Sequence, residues 1–325
     1  MSVKYNAERL TVDSVEVVRL TDAEHAVELS ICPSIGNIAY DLRVHGKPIL
    51  LAPPAPLSEW KAKPSQAGIP FLGPWANRID GDAYWVNGKK YHLNPDLGNL
   101  RRDPNGLAIH GLLLFAPDWI VVRLYADEGV ALVTSRLYFS KHPQWMAQFP
   151  FAHTIEMTHR LAGGVLEIST AIENHSIEPL PLCIGFHPWY QIPDCSRDQW
   201  TVHLPVRKHY QLSSRLVPTG ETEPVNLPDP VALAGRKLDD VFGDVNHADE
   251  FWVEGAGRRI SVRFGEKFPV AIAYAPEDRN VICFEPMTAV TNAFNLAHAG
   301  IYKNLPVIPP GEIWKESFWI RASGF

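Results

Sequence analysis

Residues 154–172, with the sequence TIEMTHRLAGGVLEISTAI, show the pattern that decides the fold of this chain. Apolar and polar side chains alternate on both sides of Gly163-Gly164, so that Ile155, Met157 and Leu161 share one face of the first run. Successive side chains of a β-strand point to opposite faces, and a glycine pair between two alternating runs is typical of a tight turn. The stretch therefore predicts two half-buried antiparallel strands joined by a hairpin.

The same alternation continues outward from this hairpin. It recurs in residues 38–44 and 259–264, and the runs 84–86 and 91–93 flank Asn87-Gly88, a favoured pair for a two-residue hairpin turn. Helical periodicity is weak, with its best candidate near residues 290–299, and the proline-rich stretch 53–64 is predicted to be a surface loop. A long series of antiparallel strands without an evident linker or repeat predicts an all-β fold, a large antiparallel β-sandwich, as one domain over residues 1–325.

Charge and hydropathy restrict the classes of partner. The chain of 325 residues has 30 basic and 36 acidic side chains, a net charge of −6, whereas nucleic-acid and anionic-membrane surfaces need clustered excess lysine and arginine. The N-terminal residues lack the apolar core of a signal peptide, and no apolar run reaches about 18 residues, the length of a membrane span. We therefore expect a cytoplasmic protein that binds neither nucleic acid nor membrane; the oligomeric state is left open.

The sequence contains no familiar motif for a metal, a nucleotide or a covalent nucleophile. None of the four cysteines forms a CxxC pair, and Cys183 and Cys283 lie in apolar runs that are typical of buried free thiols. The HExxH zinc motif, the glycine-rich phosphate loop and the GxSxG nucleophile motif are missing. We predict chemistry that uses neither a metal nor a cofactor.

Two residues have side chains suited to proton transfer. Glu285 ends an apolar strand-like run, where partial desolvation would raise the pKa of its carboxyl toward the range of a general base. An exposed strand-end carboxylate is the alternative, and position alone favours it. His187 precedes Pro188 and Trp189, and imidazole exchanges a proton near neutral pH, although a packed histidine is the commoner role. Neither residue identifies a site by itself.

Three other segments offer polar groups in loops. His110 precedes Gly111, which would let a ligand approach closely, and Arg78 follows Asn77 and carries five donors suited to hydroxyl-rich or carboxylate ligands. Asp239 and Asp240 stand before an apolar pair. For these segments the alternatives are a loop histidine, a surface ion pair and a solvated turn.

Taken in this order, the segments resemble five motifs of the aldose 1-epimerase (galactose mutarotase) family. The matching motifs are Asn77-Arg78-Ile79, His110-Gly111, His187-Pro188-Trp189, Asp239 within residues 238–242, and Glu285. The resemblance runs from about Ser14 to the end of the chain, and five short motifs in the right order are more specific than any one alone. It implies the galactose mutarotase-like supersandwich, with a sugar bound in a cleft on one sheet.

The resemblance also implies an activity, which is interconversion of the α and β anomers of an aldohexose by acid–base ring opening. Glu285 would be the base toward the anomeric hydroxyl, His187 the acid toward the ring oxygen, and His110 a further catalytic group near that oxygen. Substrate binding would fall to a set of anchors, Asn77, Arg78, Asp239 or its neighbour Asp240, and Trp189. Trp75 is a further aromatic candidate, and a place in the core is an equal alternative for both tryptophans. A pH optimum near neutrality would be limited by Glu285 on the acid side and His187 on the basic side.

Rival functions remain open from the sequence. Residues 68–75 are similar to those of the related hexose-6-phosphate epimerases, and such a substrate would need basic residues at the cleft, for which Arg101 and Arg102 are candidates. A non-catalytic sugar-binding module would keep the anchors without needing both an acid and a base. A polysaccharide lyase or hydrolase is less favoured, because no pair of catalytic carboxylates is evident.

Overall fold

A computed structural model describes residues 4–54 and 56–325 and is built mainly of β-strands. In chain order the strands are β1 (Tyr5–Val12), β2 (Val15–Asp22), β3 (Val27–Cys32), β4 (Ile38–Val44), β5 (Lys47–Pro48), β6 (Phe71–Leu72), β7 (Arg78–Ile79), β8 (Ala83–Val86), β9 (Lys89–His92), β10 (Ala108–Ile109), β11 (Ile120–Ala126), β12 (Ala131–Tyr138), β13 (His153–Ala162), β14 (Val165–Asn174), β15 (Leu180–Pro181), β16 (Gly185–Phe186), β17 (Thr201–His203), β18 (Lys208–Leu212), β19 (Pro218–Pro224), β20 (Val231–Ala232), β21 (Leu238–Gly243), β22 (Phe251–Gly255), β23 (Arg258–Phe264), β24 (Val270–Ala275), β25 (Cys283–Met287), β26 (Val307–Ile308) and β27 (Ile313–Ser323).

The helices are short and lie between strands. The α-helices are α1 (Leu57–Ala62), α2 (Pro143–Met146) and α3 (Ala293–His298), and the 3₁₀ turns are Pro95–Leu97, Phe139–Lys141 and Arg197–Gln199. Over residues 4–54 and 56–325, no helix has both the length and the apolar character that crossing a membrane would require.

Three large antiparallel sheets organise the strands. The first five strands form one sheet in chain order. A nine-stranded sheet has the order β11-β12-β13-β14-β27-β23-β22-β17-β20, and a seven-stranded sheet has the order β19-β18-β21-β24-β25-β16-β6. The seven-stranded sheet joins strands that are far apart in sequence, since its members β6, β16 and β25 are separated by about a hundred residues each.

The nine-stranded and seven-stranded sheets pack face to face through aromatic side chains. The rings of Phe186 and Phe318 lie 4.8 Å apart between centroids, and those of Phe251 and Phe284 lie 5.6 Å apart. All four belong to one continuous apolar core that also includes buried residues of the first sheet. Because edge-to-face and offset aromatic pairs add to the burial of their apolar area, these contacts fix which face of each sheet is the inner one.

The predicted all-β antiparallel sandwich is confirmed. The hairpin of residues 154–172 forms β13 and β14, residues 38–44 form β4, and Asn87 and Gly88 both adopt the left-handed backbone that their hairpin turn requires. The prediction of a loop over residues 53–64 was wrong in part, since α1 occupies its centre. Trp60 is buried there and donates its indole hydrogen bond to the Ser65 carbonyl, which gives this otherwise polar segment a reason to fold. The single domain over 1–325 stays a prediction.

Candidate active site

A cleft of about 410 Å³ opens on the outer face of the seven-stranded sheet, beside the loops that follow β6 and β10. Its lining comprises Gln66, Asn77, Arg78, Asp103, Pro104, Asn105, Ile109, His110, His187, Trp189, Leu216, Lys237, Asp239, Ile272, Tyr274 and Glu285. This set contains seven of the residues that the sequence proposed for catalysis or substrate binding and lacks two of the alternatives, Trp75 and Asp240. The volume lies within the usual range for a small-molecule site.

Strand alternation explains why a glutamate lies at the floor of the cleft. In β25, Phe284 points to the inner face and packs on Phe251, so Glu285 must point to the outer face. Its cross-strand partner in β24 is Ile272, which also lines the cleft. The Glu285 side chain is 2% exposed, which makes it a buried carboxyl rather than the exposed strand-end group that its position alone favoured.

The choice between Asp239 and Asp240 as the lining residue follows from the same alternation. Asp239 is paired with Tyr274 of β24, and both line the cleft. Asp240 points to the other face of β21, where its carboxylate lies 3.0 Å from Nε2 of His209. Of the two, the aspartate that a ligand in the cleft can reach is therefore Asp239.

His187 reaches the cleft from the strand next to β25. Phe186 of β16 faces the core, so the following residue faces outward, and the N–H of His187 donates to the Pro70 carbonyl at 3.0 Å. This bond holds the backbone where β16 meets β6. Nε2 of His187 lies 3.2 Å from Oε1 of Glu285, within reach of direct proton exchange.

His110 and Asn77 are fixed by an unusual local backbone. Both have left-handed φ angles, 63° and 56°, and the N–H of His110 donates to the Asn77 carbonyl at 2.9 Å. Gly111 continues the left-handed path, and a Cβ on it would come within 2.1 Å of the Gly73 carbonyl oxygen, so no other residue fits there. The strained turn brings the ring of His110 to 5.4 Å from that of His187, edge to face.

Arg78 is held rigidly by two acceptors. Its Nε donates to Oδ2 of Asp103 at 2.6 Å, and its Nη1 donates to Oδ1 of Asn77 at 3.0 Å. The other Asp103 oxygen accepts the N–H of Leu107 at 2.8 Å. Burial opposes ionisation of Asp103, but the bonds from Arg78 and Leu107 outweigh it, and the pKa of this carboxyl falls below its usual range. The guanidinium is thus preorganised and neutralised by one fixed counter-charge.

Burial shifts the pKa values of Glu285 and His187, which form the central pair of the cleft, away from their ordinary values. It raises the pKa of Glu285 well above the usual carboxyl range, and the nearby Asp239 carboxylate adds to the effect while Arg78 opposes it. Burial also lowers the pKa of His187, to about 3. Both shifts favour a proton on the carboxyl and a neutral imidazole, so the 3.2 Å contact is not an ion pair between fixed charges.

Burial also shifts the pKa values of two other cleft residues, His110 and Asp239. The pKa of His110 falls well below its usual value, first because the ring is buried and then because of His187 and two arginines nearby. The pKa of Asp239 rises because of burial, against the pull of Arg78 and Lys237. The cleft therefore holds neutral imidazoles together with two carboxyls of raised proton affinity, those of Glu285 and Asp239, and such shifts are typical of a functional site.

The two tryptophans proposed for sugar contact lie in different surroundings. Trp189 lines the cleft, where its ring stacks on His187 at 4.6 Å and the Arg279 guanidinium lies 4.8 Å from its centre. Trp75 is 1% exposed and packs within the core, with Tyr84 as one neighbour, so of its two alternatives the core position is the one observed. Aromatic residues after a proline-rich turn fill cores as readily as sites, and sequence could not separate the two.

Several lining residues were missed from the sequence. Asp103, Tyr274, Lys237, Leu216 and Gln66 lie in the cleft, but none was selected by a motif. The only usable signal was the run Asp103-Pro104-Asn105-Gly106, whose composition indicates a turn that an aspartate side chain stabilises.

Potential metal ligands do meet at this site. Donor atoms of His187, Cys283 and Glu285 all lie within 4.8 Å of one another, and all three residues are buried. Sequence spacing could not reveal this group, since His187 is nearly a hundred residues from the other two. The prediction that the chemistry needs no metal stays a prediction.

The antiparallel sandwich has the fold of galactose mutarotase-like proteins, as structural comparison shows. A galactose mutarotase-like protein from Clostridium acetobutylicum superposes with a TM-score of 0.87 at 21% identity, covering 100% of both chains. Galactose 1-epimerase from Lactobacillus acidophilus superposes with a TM-score of 0.72 at 13% identity, covering 99% of both. At such identities the likeness concerns the fold alone.

The sequence model described as aldose 1-epimerase matches residues 18–321, and the chain belongs to that family. The uncharacterized protein YihR of Escherichia coli is 26% identical over 244 residues, 72% of this chain and 75% of that protein. Family membership supports a role as a sugar epimerase, an isomerase that acts on a carbohydrate.

Proposed function

We propose that this protein is an aldose 1-epimerase that interconverts the α and β anomers of an uncharged aldohexose. The observation that carries the proposal is the contact between Nε2 of His187 and Oε1 of Glu285 in a cleft large enough for one sugar ring. Mutarotation requires one proton to leave the anomeric hydroxyl O1 and one to reach the ring oxygen O5. A base and an acid suffice, each worth about 10²–10⁴ in rate.

The proton balance assigns a role to each member of the pair. Glu285 as carboxylate takes the O1 proton, the imidazolium of His187 gives a proton to O5, the C1–O5 bond breaks, and an open-chain aldehyde results. After rotation about C1–C2, the same steps run in reverse and close the ring on either face. Since O1 and O5 are bonded to the same carbon, two groups 3.2 Å apart can serve both oxygens. The acid and the base need not stand on opposite sides of the sugar.

This cycle needs one proton on the pair at all times. With the proton on His187 the pair is ready to open a ring, and with the proton on Glu285 it is ready to close one. Burial favours the second form in the free protein, because it raises the pKa of Glu285 and lowers that of His187. Hydroxyl groups of a bound sugar would solvate the charged form and reduce the difference between the two states.

The surrounding residues are suited to hold the sugar. Arg78 and Asp239 offer donors and acceptors for hydroxyl groups, and Asn77 shapes the turn that carries Arg78. His110 lines the cleft, and within residues 4–54 and 56–325 its Nδ1 is buried without a hydrogen-bond partner, which is uncommon outside functional sites. Trp189 limits the cleft on the His187 side.

The charges of the cleft favour an uncharged sugar over a phosphorylated one. Its lining has two basic residues, Arg78 and Lys237, and Arg78 is already paired with Asp103. Lys237 lies 3.9 Å from Asp239. The two arginines that the phosphate alternative relied on do not line the cleft, and Arg102 pairs with Asp82 at 2.8 Å. Both basic residues of the lining thus already have an acidic partner, which leaves neither free to pair with a phosphate dianion.

Polarimetry on freshly dissolved α-glucose and α-galactose tests the proposal. The purified protein should bring the optical rotation to equilibrium faster than the spontaneous reaction, in proportion to protein concentration. Glucose 6-phosphate serves as the comparison substrate and should react more slowly. Saturable sugar binding without any acceleration would instead identify a non-catalytic sugar-binding module.

The pH dependence of kcat/KM is expected to have its acid limit at the pKa of His187 and its basic limit at the raised pKa of Glu285. The active form has one proton on the pair, so activity falls on the acid side when His187 takes a second proton, at a pKa of about 3. It falls on the basic side when Glu285 loses its proton, above the ordinary carboxyl range. The two limits are thus reversed relative to the sequence expectation, because burial reverses the order of the two proton affinities.

Exchange spectroscopy by NMR at a series of pH values measures this profile, with the spontaneous rate subtracted. An acid limit near the ordinary histidine pKa of about 6.5 would contradict the assignment.

A further inference from the structure

Cys283 is a buried thiol beside the central pair that the proposed mechanism does not use. It belongs to β25, two residues before Glu285, so both side chains point to the outer face of the strand. Cys283 packs there against Trp189, whose ring stacks on His187. The strand geometry and the stack together bring a sulfur, a nitrogen and an oxygen donor to one point.

The bonding of Cys283 differs from that of the other thiols. Cys32, Cys183 and Cys195 each donate to a backbone carbonyl, at 3.7–3.8 Å. For Cys283 no such bond is found in the part of the chain that the structure describes, residues 4–54 and 56–325. Oε2 of Glu285 and Nδ1 of His187 are likewise buried and without a partner over the same residues. Buried polar groups are nearly always satisfied, so the unsatisfied Oε2 of Glu285 beside a thiol without a hydrogen bond indicates a ligand at this point.

We propose that His187, Cys283 and Glu285 form a binding site for a divalent metal ion that accepts thiolate and imidazole ligands, Zn²⁺, whose occupancy stops the sugar chemistry. The donors lie within 4.8 Å of one another, and the imidazole and carboxyl atoms are already 3.2 Å apart. Bonds of about 2.0–2.3 Å in a tetrahedron put donors roughly 3.3–3.8 Å apart. Movement of the side chains by about 1 Å therefore completes the site.

The donor set selects among metals. A thiolate and an imidazole suit Zn²⁺ or Cd²⁺, whereas Mg²⁺ and Ca²⁺ require oxygen ligands. The Cys283 thiolate and the Glu285 carboxylate together carry two negative charges and so neutralise a divalent cation. This matters because an uncompensated charge is costly to bury. The fourth coordination position faces the cleft, because both His187 and Glu285 line it. Metal and sugar would then compete, since the metal engages both the acid and the base.

Metal binding can be tested without any activity measurement. Titration of the full chain with Cd²⁺ should produce the ultraviolet charge-transfer band of a cadmium thiolate, saturating at one ion per chain, and Zn²⁺ should displace it. Cys283→Ser should abolish the band and weaken Zn²⁺ binding by at least about tenfold. Cys32→Ser removes an equally buried thiol in the five-stranded sheet and should keep both.

The inhibitory consequence rests on the proposed function and is measured separately. Zn²⁺ should slow anomer exchange by the native protein, and EDTA should restore it, while Cys283→Ser should exchange at the native rate with or without Zn²⁺. If Cys283→Ser does not fold, Glu285→Gln must weaken the cadmium band instead. A native protein without the band, or a band that persists in both variants, would overturn the proposal whatever the protein does to sugars.

Discussion

Replacement of Glu285 by glutamine is expected to lower kcat for anomer exchange by at least about 100-fold. Glutamine has the same shape but neither accepts nor donates the carboxyl proton, so the pair can no longer hold the one proton that the cycle needs. The fold should tolerate the change, because burial already favours the neutral carboxyl. Urea unfolding should give a free energy no lower than that of the native protein, and KM should change much less than kcat.

Glu254→Gln is the matched control for this variant. Glu254 lies in β22 of the nine-stranded sheet, where its carboxylate pairs with Arg259. Its replacement should leave the rate of anomer exchange unchanged. His187→Asn should be as slow as Glu285→Gln, and the double variant should be little slower than either, because the two groups act in one event. Full activity in Glu285→Gln would show that the base is elsewhere and that the mechanism above is wrong.

Acidification is expected to destabilise this protein steeply, because several histidines are buried in the neutral form. Burial lowers the pKa of His153 to about 4 and that of His159 to about 3, and His187 and His110 are lowered as well. The unfolded chain binds these protons near pH 6.5, whereas the folded chain does not. The stabilisation from each group is therefore complete above pH 6.5 and is lost as the pH falls toward the folded pKa.

Each fully buried histidine should remove about 1.4 kcal/mol from the free energy of unfolding per pH unit below 6.5. Several such residues together should unfold a domain of ordinary stability before pH 4. Urea titrations between pH 7.5 and 4.5 measure the slope. His159→Leu should make the slope of free energy against pH shallower, because it removes a buried imidazole, and it leaves the cleft intact because His159 lies in β13. His92→Gln should leave the slope unchanged, because His92 is exposed. A free energy that is constant from pH 7.5 to 5 would contradict the prediction.

The sequence predicted those parts of the fold whose strands are long and half-buried. The hairpin of β13 and β14 was readable because one face meets the core and the other meets solvent, which produces the period of two. Strands such as β6 and β16 are two residues long and buried on both faces, so they leave no alternation. Helix α1 was missed because only Leu57 and Trp60 face the core in a short proline-flanked segment.

The site residues could be predicted where a sequence motif existed. They could not be predicted where cross-strand pairing determines which side chain faces the cleft. Seven of the proposed residues lie in one cleft, yet the motif that matched Asp239 left its neighbour Asp240 open as the anchor. That choice depends on the register with Tyr274, which no local pattern encodes. The same limit hid Cys283, an ordinary apolar-strand cysteine until β25 is paired and Trp189 lies over it. The burial that reverses the proton affinities of Glu285 and His187 is also a property of the assembled sheets.

The long sequence separation of β6, β16 and β25 has a consequence for how this protein acquires its activity. Contacts between residues about a hundred positions apart close large loops, so they form late and slowly in folding. A growing chain has no acid–base pair until Glu285 has been synthesised and its strand has paired with the strand that precedes His187. Recovery of catalysis during refolding should therefore lag behind recovery of strand content, and catalysis reports completion of the seven-stranded sheet more faithfully than any spectroscopic measure of secondary structure.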